Sequence, residues 1–143
     1  MNTLSGFVTG LIASLCLGVS AEAQDIVGPR LSIELNSTEP ADAACKLSFL
    51  VVNGHETDVS SAVFEAVLFD LDDRIERLTL FDFGDLPAGR PRVRQFVLPG
   101  LDCAALGRVL INGAQTCEAG AAGEGACSDG LELRSRVAVE LVG

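Results

Sequence analysis

The chain has 143 residues, a formal net charge of −10 and an isoelectric point near 4.4. This acidic balance opposes contact with phosphate backbones and anionic membrane surfaces, so nucleic acid is not expected as a partner. Arginine supplies nine of the ten basic residues, which together with the many alanines and glycines is typical of a GC-rich bacterial genome.

The first 23 residues have the features of a cleavable secretory signal peptide. The segment from Leu4 to Val19 is uncharged and mostly apolar, and Ala21-Glu22-Ala23 forms a small-x-small cleavage pattern. A retained membrane anchor is the alternative, but the apolar segment is shorter than the roughly 20 residues that a spanning helix needs. We therefore predict cleavage after Ala23, a periplasmic or secreted mature protein without a membrane span, and a single domain over residues 24–143.

The first half of the mature chain alternates with the period of two that is typical of β-strands. Residues 31–36 place Leu31, Ile33 and Leu35 on one face, and residues 45–53 are apolar on both faces. Residues 62–70 are apolar apart from Glu65 and the terminal Asp70. We place Glu65 near a sheet edge or at the sheet rim, because burying a carboxylate on both sides is costly. Turn-forming residues separate the three segments.

The second half continues the same pattern. Strands are predicted at residues 74–83, 92–98 and 107–112, with a loop at 84–91 rich in Gly and Pro and a long loop at 113–130. Residues 131–142 alternate most cleanly and form the last predicted strand. Short strands separated by turn signals, with no amphipathic helix, predict an all-β fold: an antiparallel β-sandwich of about seven strands.

The cysteine count adds a covalent constraint to this fold. Of the five cysteines, Cys16 lies in the predicted signal peptide and four remain after cleavage. An even number in an exported protein argues for two disulfides, and the residues alone leave three connectivities open. A zinc site would need closely spaced pairs, whereas these cysteines are 58, 14 and 10 positions apart. We expect disulfides, and no cofactor, from Cys45, Cys103, Cys117 and Cys127.

The middle of the chain resembles a known family over residues 45–98. The segments FLVVN (49–53) and VFEAVLFD (63–70), with Asp72 two residues on, precede LPAGR (86–90) and a strand carrying Phe96. This pattern is similar to that of small bacterial extracytoplasmic immunoglobulin-like domains of the FxLYD type. The sequence departs from it in having Phe69 where Tyr is usual and Asp73 where Gly is usual.

The resemblance implies that the β-sandwich is immunoglobulin-like, and this fold in turn implies a disulfide pairing. In an immunoglobulin-like strand order, the strand that begins at Cys45 and the strand that begins at Gly107 run the same way. Cys45 and Cys103 would then lie at one end of the sandwich and join its sheets, and Cys117 would pair with Cys127 across the last long loop. Function does not follow from the resemblance, because such domains host many roles.

Enzymatic activity is not expected. The single histidine, His55, follows Asn53-Gly54 in a predicted turn, and no motif supplies both a nucleophile and an orienting carboxylate for it. One histidine without a free thiol also disfavours a transition-metal site. Carbohydrate binding is disfavoured because the chain has no Trp or Tyr on which a sugar could stack.

Two groups of charged residues are candidate binding groups. Asp70, Asp72 and Asp73 could offer oxygens to Ca²⁺, although aspartates in a hairpin also stabilise turns through hydrogen bonds to the backbone. Arginine side chains could anchor an acidic partner, although outward strand positions are ordinarily charged. These candidate partner contacts are Arg92, Arg94, Arg134 and Arg136.

The combined observations lead to a hypothesis of function. We expect a non-enzymatic exported β-sandwich protein that acts as a protein–protein interaction or accessory subunit of an envelope assembly. The alternative is a periplasmic protein that binds a small ligand or calcium at the turn from Asp70 to Asp73. Sheet edges and the 113–130 loop are the expected contact surfaces.

Overall fold

A computed structural model describes residues 28–143 and confirms the expected β-sandwich. The predicted signal peptide and its cleavage site after Ala23 lie outside the described residues. Within them the chain forms the following strands: β1 (Leu31–Ala41), β2 (Ala44–Asn53), β3 (Val59–Asp70), β4 (Ile75–Leu86), β5 (Arg92–Pro99), β6 (Leu106–Glu118), β7 (Glu132–Ser135) and β8 (Glu140–Val142). Short 3-10 helices occur at Cys103–Ala105, Gly120–Ala122 and Glu124–Cys127.

The strands form two four-stranded sheets. Sheet 1 has the order β5-β2-β1-β7, and sheet 2 has the order β4-β3-β6-β8. Most neighbouring strands are antiparallel, but the two short C-terminal strands pair in parallel, β7 with β1 and β8 with β6. Strands β4 and β5 therefore lie at one side of the sandwich, and β7 and β8 lie at the other.

Phenylalanine rings fill the space between the sheets. Phe49 of sheet 1 contacts Phe81 and Phe83 of sheet 2, with ring centroids 5.2 and 5.6 Å apart. Phe96 packs against Phe81 at 4.6 Å, and Phe64 packs against Phe83 at 5.7 Å. Tilted and edge-to-face contacts at these distances are favourable beyond the burial of apolar area.

The disulfide pairing implied by the family resemblance is confirmed. Cys45 of β2 is bonded to Cys103, which lies in the 3-10 helix before β6, so this bond joins sheet 1 to the chain that enters sheet 2. Cys117 is bonded to Cys127. The predicted 113–130 loop is shorter than expected because β6 continues through Cys117 to Glu118.

The last predicted strand is two strands instead of one. Residues 132–135 pair in sheet 1 and residues 140–142 pair in sheet 2, with a bend between them. The hydroxyl oxygen of Ser135 accepts a hydrogen bond from the Val137 N–H at 3.3 Å and also contacts the Val139 carbonyl oxygen. Such local side-chain bonds compete with the strand ladder, and alternation alone does not reveal them.

The expected position of Glu65 near a sheet edge is wrong. Strand β3 lies in the interior of sheet 2, between β4 and β6. Glu65 is tolerated there because it is on the outer face of the sheet, where it is half-buried and accepts a hydrogen bond from Asn112 at 2.5 Å. The apolar residues beside it therefore do not all belong to the core.

The cluster of phenylalanine rings between the sheets leads to a prediction about stability. Phe49→Ala should lower the free energy of unfolding by about 3–5 kcal/mol, because it removes a fully buried ring and leaves a cavity. The matched control is Val93→Ala, which shortens an exposed side chain and should change stability by less than about 0.5 kcal/mol. Urea unfolding measures both, and equal effects of the two substitutions would contradict the described core.

Candidate functional site

The four candidate arginines form two separate pairs. Arg92 and Arg94 lie on β5, whereas Arg134 lies on β7 and Arg136 follows it directly. Strands β5 and β7 are the opposite edges of sheet 1. The structure therefore does not bring the four side chains together into one basic surface.

Arg94 connects the two sheets. Its Nε donates to the Phe83 carbonyl oxygen at 2.7 Å, and its Nη2 donates to the Asp85 carbonyl oxygen at 2.9 Å. Arg92 lies two residues earlier, on the same side of β5. The Nη1 of Arg92 donates to the carbonyl oxygen of the neighbouring Pro91 at 3.2 Å. Much of the hydrogen-bonding capacity of Arg94 is thus used to hold β5 against β4.

Arg134 and Arg136 cover a polar patch on the outer face of sheet 1. Arg136 Nε donates to Glu34 Oε1 at 2.6 Å, and the Glu34 side chain is only 8% exposed. Asn36 donates to the same oxygen at 3.1 Å, and Arg134 reaches the hydroxyl of Ser32. This network satisfies a carboxylate on a face where the neighbouring β1 residue, Ser32, is also buried.

The network shifts the ionisation of Glu34. Burial alone raises the pKa of this carboxyl group, but the hydrogen bonds from Asn36 and Arg136 and the charges of Arg136 and Arg134 outweigh it. The pKa of Glu34 therefore lies below its ordinary value. Ionised Glu34 stabilises the fold, and this contribution is lost as the pH falls through the lowered pKa.

The aspartates of the β3–β4 turn are already engaged. Asp70 Oδ1 accepts hydrogen bonds from the backbone N–H groups of Asp72 and Arg74, at 2.8 and 2.9 Å. Asp72 pairs with Arg74 at 3.2 Å, and Asp73 pairs with Arg108 at 3.0 Å. Across residues 28–143 no group of three or more His, Cys, Asp or Glu side chains could hold a metal ion. The turn geometry accounts for these carboxylates without a ligand.

His55 joins two loops. Its Nε2 lies 2.8 Å from the carbonyl oxygen of Ala126, beside the disulfide-bonded Cys127, and its backbone N–H donates to Asn53 Oδ1 at 2.9 Å. Asn53 is fully buried and also donates to the carbonyl oxygens of Thr57 and Leu86. These bonds position the turn after β2 against the segment that follows β6.

The most unusual surface is one that the sequence analysis missed: an apolar stripe on the outer face of sheet 2. The strand register aligns Leu78, Val67, Leu110 and Val142 in one row across β4, β3, β6 and β8. Val67 is buried yet does not belong to the core cluster, whereas its chain neighbours Ala66 and Leu68 do. Its cross-strand partners are the apolar residues Leu78 and Leu110.

The stripe is exposed at its two ends, on the edge strands β4 and β8, and is half-buried or buried between them. Leu78 is 60% exposed, Leu80 is 50% exposed in the adjacent row, and Val142 is 36% exposed. We call the set of Val67, Leu78, Leu80, Leu110 and Val142 the apolar face. Four strands spaced by about 4.8 Å make it about 15 Å long. Contiguous exposed apolar side chains on a folded domain mark contact surfaces.

The sequence did contain a signal for the apolar face. In residues 78–83, Leu78 and Leu80 share one side of the strand with Asp82, while Phe81 and Phe83 occupy the other side. From the sequence we predict a strand over residues 74–83 and assign neither of its sides to the core. One strand alone cannot tell whether its second side is covered by the same chain or by another molecule.

The charges around the apolar face are unbalanced. Arg108 is held by Asp73 and lies over the ring of Phe69, with its guanidinium carbon 4.6 Å from the ring centroid. Glu65 and Asp82 border the stripe on one side, and Glu140 borders it on the other. Among the described residues none of these three carboxylates forms an ion pair within 4.0 Å. The border of the face is therefore acidic.

Three comparisons with known proteins found no similar protein: no family model, no curated protein and no solved structure matches the chain. Among residues 28–143 no helix has the length and apolar character needed to cross a membrane. The two disulfides point to an oxidising, extracytoplasmic environment.

The Glu34 network gives a prediction of pH dependence. Glu34→Gln should lower the free energy of unfolding by roughly 1–2 kcal/mol at neutral pH, because the amide loses the charged hydrogen bond to Arg136. The difference from the wild type should persist down to about pH 4.3, the ordinary pKa of a glutamate, and shrink below it as Glu34 takes up a proton.

Urea unfolding from pH 7 to pH 3 measures this difference. The matched control is Glu39→Gln, which removes an exposed carboxylate of the same strand that pairs with Lys46 at 2.7 Å. Its effect should be smaller at every pH, because exposed ion pairs contribute little. A Glu34→Gln effect that does not shrink in acid would contradict the proposed role of the ionised group.

Proposed function

We propose that this chain is an exported, non-enzymatic protein that acts as an interaction or accessory subunit of an envelope assembly in the periplasm. The observation that carries the proposal is the apolar face of sheet 2. Leu78 and Leu80 are exposed and do not belong to the cluster of buried residues that forms the core between the sheets. A partner that covers them would remove this apolar area from water and supply the driving force for binding.

The N-terminal sequence and the disulfides support the proposed location. The apolar segment that ends at Ala23 has the pattern of a secretory leader, and two disulfides persist best in an oxidising compartment. The calcium alternative at the turn from Asp70 to Asp73 lacks a comparable observation, because backbone and arginine groups already occupy those carboxylates.

The two sheets offer an internal comparison for this proposal. Sheet 1 presents buried polar groups and charged side chains on most of its outer face, including Ser32, Glu34 and Ser48. Its exposed apolar residues, Val93 and Val97, lie on the edge strand β5, as Leu78 and Leu80 lie on the edge strand β4 of sheet 2. The difference is in the rows that start at these edges: on sheet 1 the row from Val93 passes Leu50 and reaches the buried carboxylate of Glu34, whereas on sheet 2 the row from Leu78 is apolar across all four strands. A partner that recognises apolar area would therefore select the outer face of sheet 2.

Photo-crosslinking in living cells tests the proposed surface. The photoreactive residue p-benzoylphenylalanine at position 78 should form an adduct with one reproducible envelope protein, because Leu78 lies on the apolar face and is 60% exposed. The matched control places the same residue at Val93, which is 62% exposed on the outer face of sheet 1. Mass spectrometry of cells with native protein levels identifies the adducts.

Comparison of the adducts at positions 78 and 93 decides whether the apolar face is the contact surface. An adduct at position 78 that is absent at position 93 supports a specific contact through sheet 2. Lack of an adduct at position 78, or the same adducts at both positions, would reject the apolar face as the contact surface.

A further inference from the structure

The residues of the apolar face and its border indicate the chemistry of the partner that would bind there. An inference about that partner rests on the proposed function. We infer that the partner is a protein whose contact surface is apolar at its centre and bears lysine or arginine at its borders. The charges around the stripe exclude several other occupants, and they indicate where the cations of the partner must lie.

The cations near the apolar face are already satisfied. Arg108 pairs with Asp73 and lies over Phe69. Arg74 pairs with Asp72, and Arg77 donates to the carbonyl oxygen of Pro99 at 2.9 Å. These arginines are therefore poorly placed to attract an acidic partner to this face.

The nearby anions, in contrast, form no ion pair within 4.0 Å among the described residues, although Arg108 is the cross-strand partner of Glu140. Asp82 and Glu140 are exposed, and Glu65 is half-buried with only the neutral amide of Asn112 as its hydrogen-bond donor. Glu65 is the cross-strand neighbour of Leu80, and Glu140 immediately precedes Leu141 and Val142 in β8. A partner that covers the leucines would bring its own border groups close to these carboxylates. Cations at the partner's border would then stabilise the complex and accelerate its formation.

The same charges disfavour a second copy of the chain. A face-to-face pair would bring the acidic borders of two copies together, within a chain whose net charge is already −10. Like charges placed together across an interface oppose association. The surface of an anionic membrane is disfavoured for the same reason. A basic-bordered protein surface is the occupant that complements both the apolar centre and its border.

The test compares neutralised variants in binding to the protein recovered as the position-78 adduct, purified for titration. Glu65→Gln/Asp82→Asn/Glu140→Gln removes three negative charges from the border and keeps the side-chain shapes. It should weaken binding at low salt by about tenfold and flatten the salt dependence, because screened charge pairs give the interface its salt sensitivity.

The control removes three charges elsewhere. Asp42→Asn/Glu56→Gln/Glu124→Gln changes the net charge equally, at two turn positions and one position in a short 3-10 helix, none of which is on the outer face of sheet 2. We expect it to bind within about twofold of the wild type at all salt concentrations, because screening limits the reach of distant charges to about 10 Å. Circular dichroism and urea unfolding of both variants exclude misfolding as the cause of a difference.

The outcomes distinguish this inference from the proposed function. If the position-78 adduct forms but the border variant binds like the wild type, or binds more tightly, the basic-bordered partner is wrong and the interaction role stands. An adduct with a second copy of the chain or with lipid would also overturn the inferred partner. If position 78 yields no adduct, both the proposed function and the inference fail.

Discussion

The packing of phenylalanine rings between the two sheets is the interaction on which the rest of the structure depends. Phe49 occupies the middle of this cluster and contacts rings from both strands β4 and β5. Because these rings and the aliphatic residues around them complete the core, neither sheet needs its outer face for folding. The packing of the core therefore does not determine which residues occupy the two outer faces.

The two outer faces have taken different compositions. On sheet 1, a buried carboxylate is neutralised by Arg136, and its hydrogen bonds keep the pKa of Glu34 low. On sheet 2, apolar side chains run across all four strands with carboxylates at their borders. The buried carboxylate of sheet 1 is thus satisfied within the chain, whereas sheet 2 combines a continuous apolar row with carboxylates that form no ion pair. This asymmetry is the main structural argument for an interaction role.

The β-sandwich could be predicted from the alternation of apolar and polar residues and from the turn-forming residues between strands. The alternation marks the inner side of each strand, and the turn-forming residues mark where each strand ends. The family resemblance led to the disulfide pairing of Cys45 with Cys103. The bend after Ser135 could not be predicted, since it depends on local side-chain bonds to the backbone. The position of Glu65 was wrong because an interior strand was assumed to bury both of its sides, whereas the side of β3 that carries Glu65 lies on the outer face of sheet 2. Arg94 looked like a surface charge, and only the approach of β5 to β4 reveals its bonds to the Phe83 and Asp85 carbonyl oxygens.

The central claim is that the fold does not require the apolar face. The most direct measurement is the free energy of unfolding of the Leu78→Thr/Leu80→Thr variant by urea titration. Threonine suits a strand and shortens both exposed leucines. The account predicts a change of no more than about 1 kcal/mol, because both side chains are at least half exposed. A loss of about 3 kcal/mol or more would mean that these leucines belong to the core, and would contradict the claim.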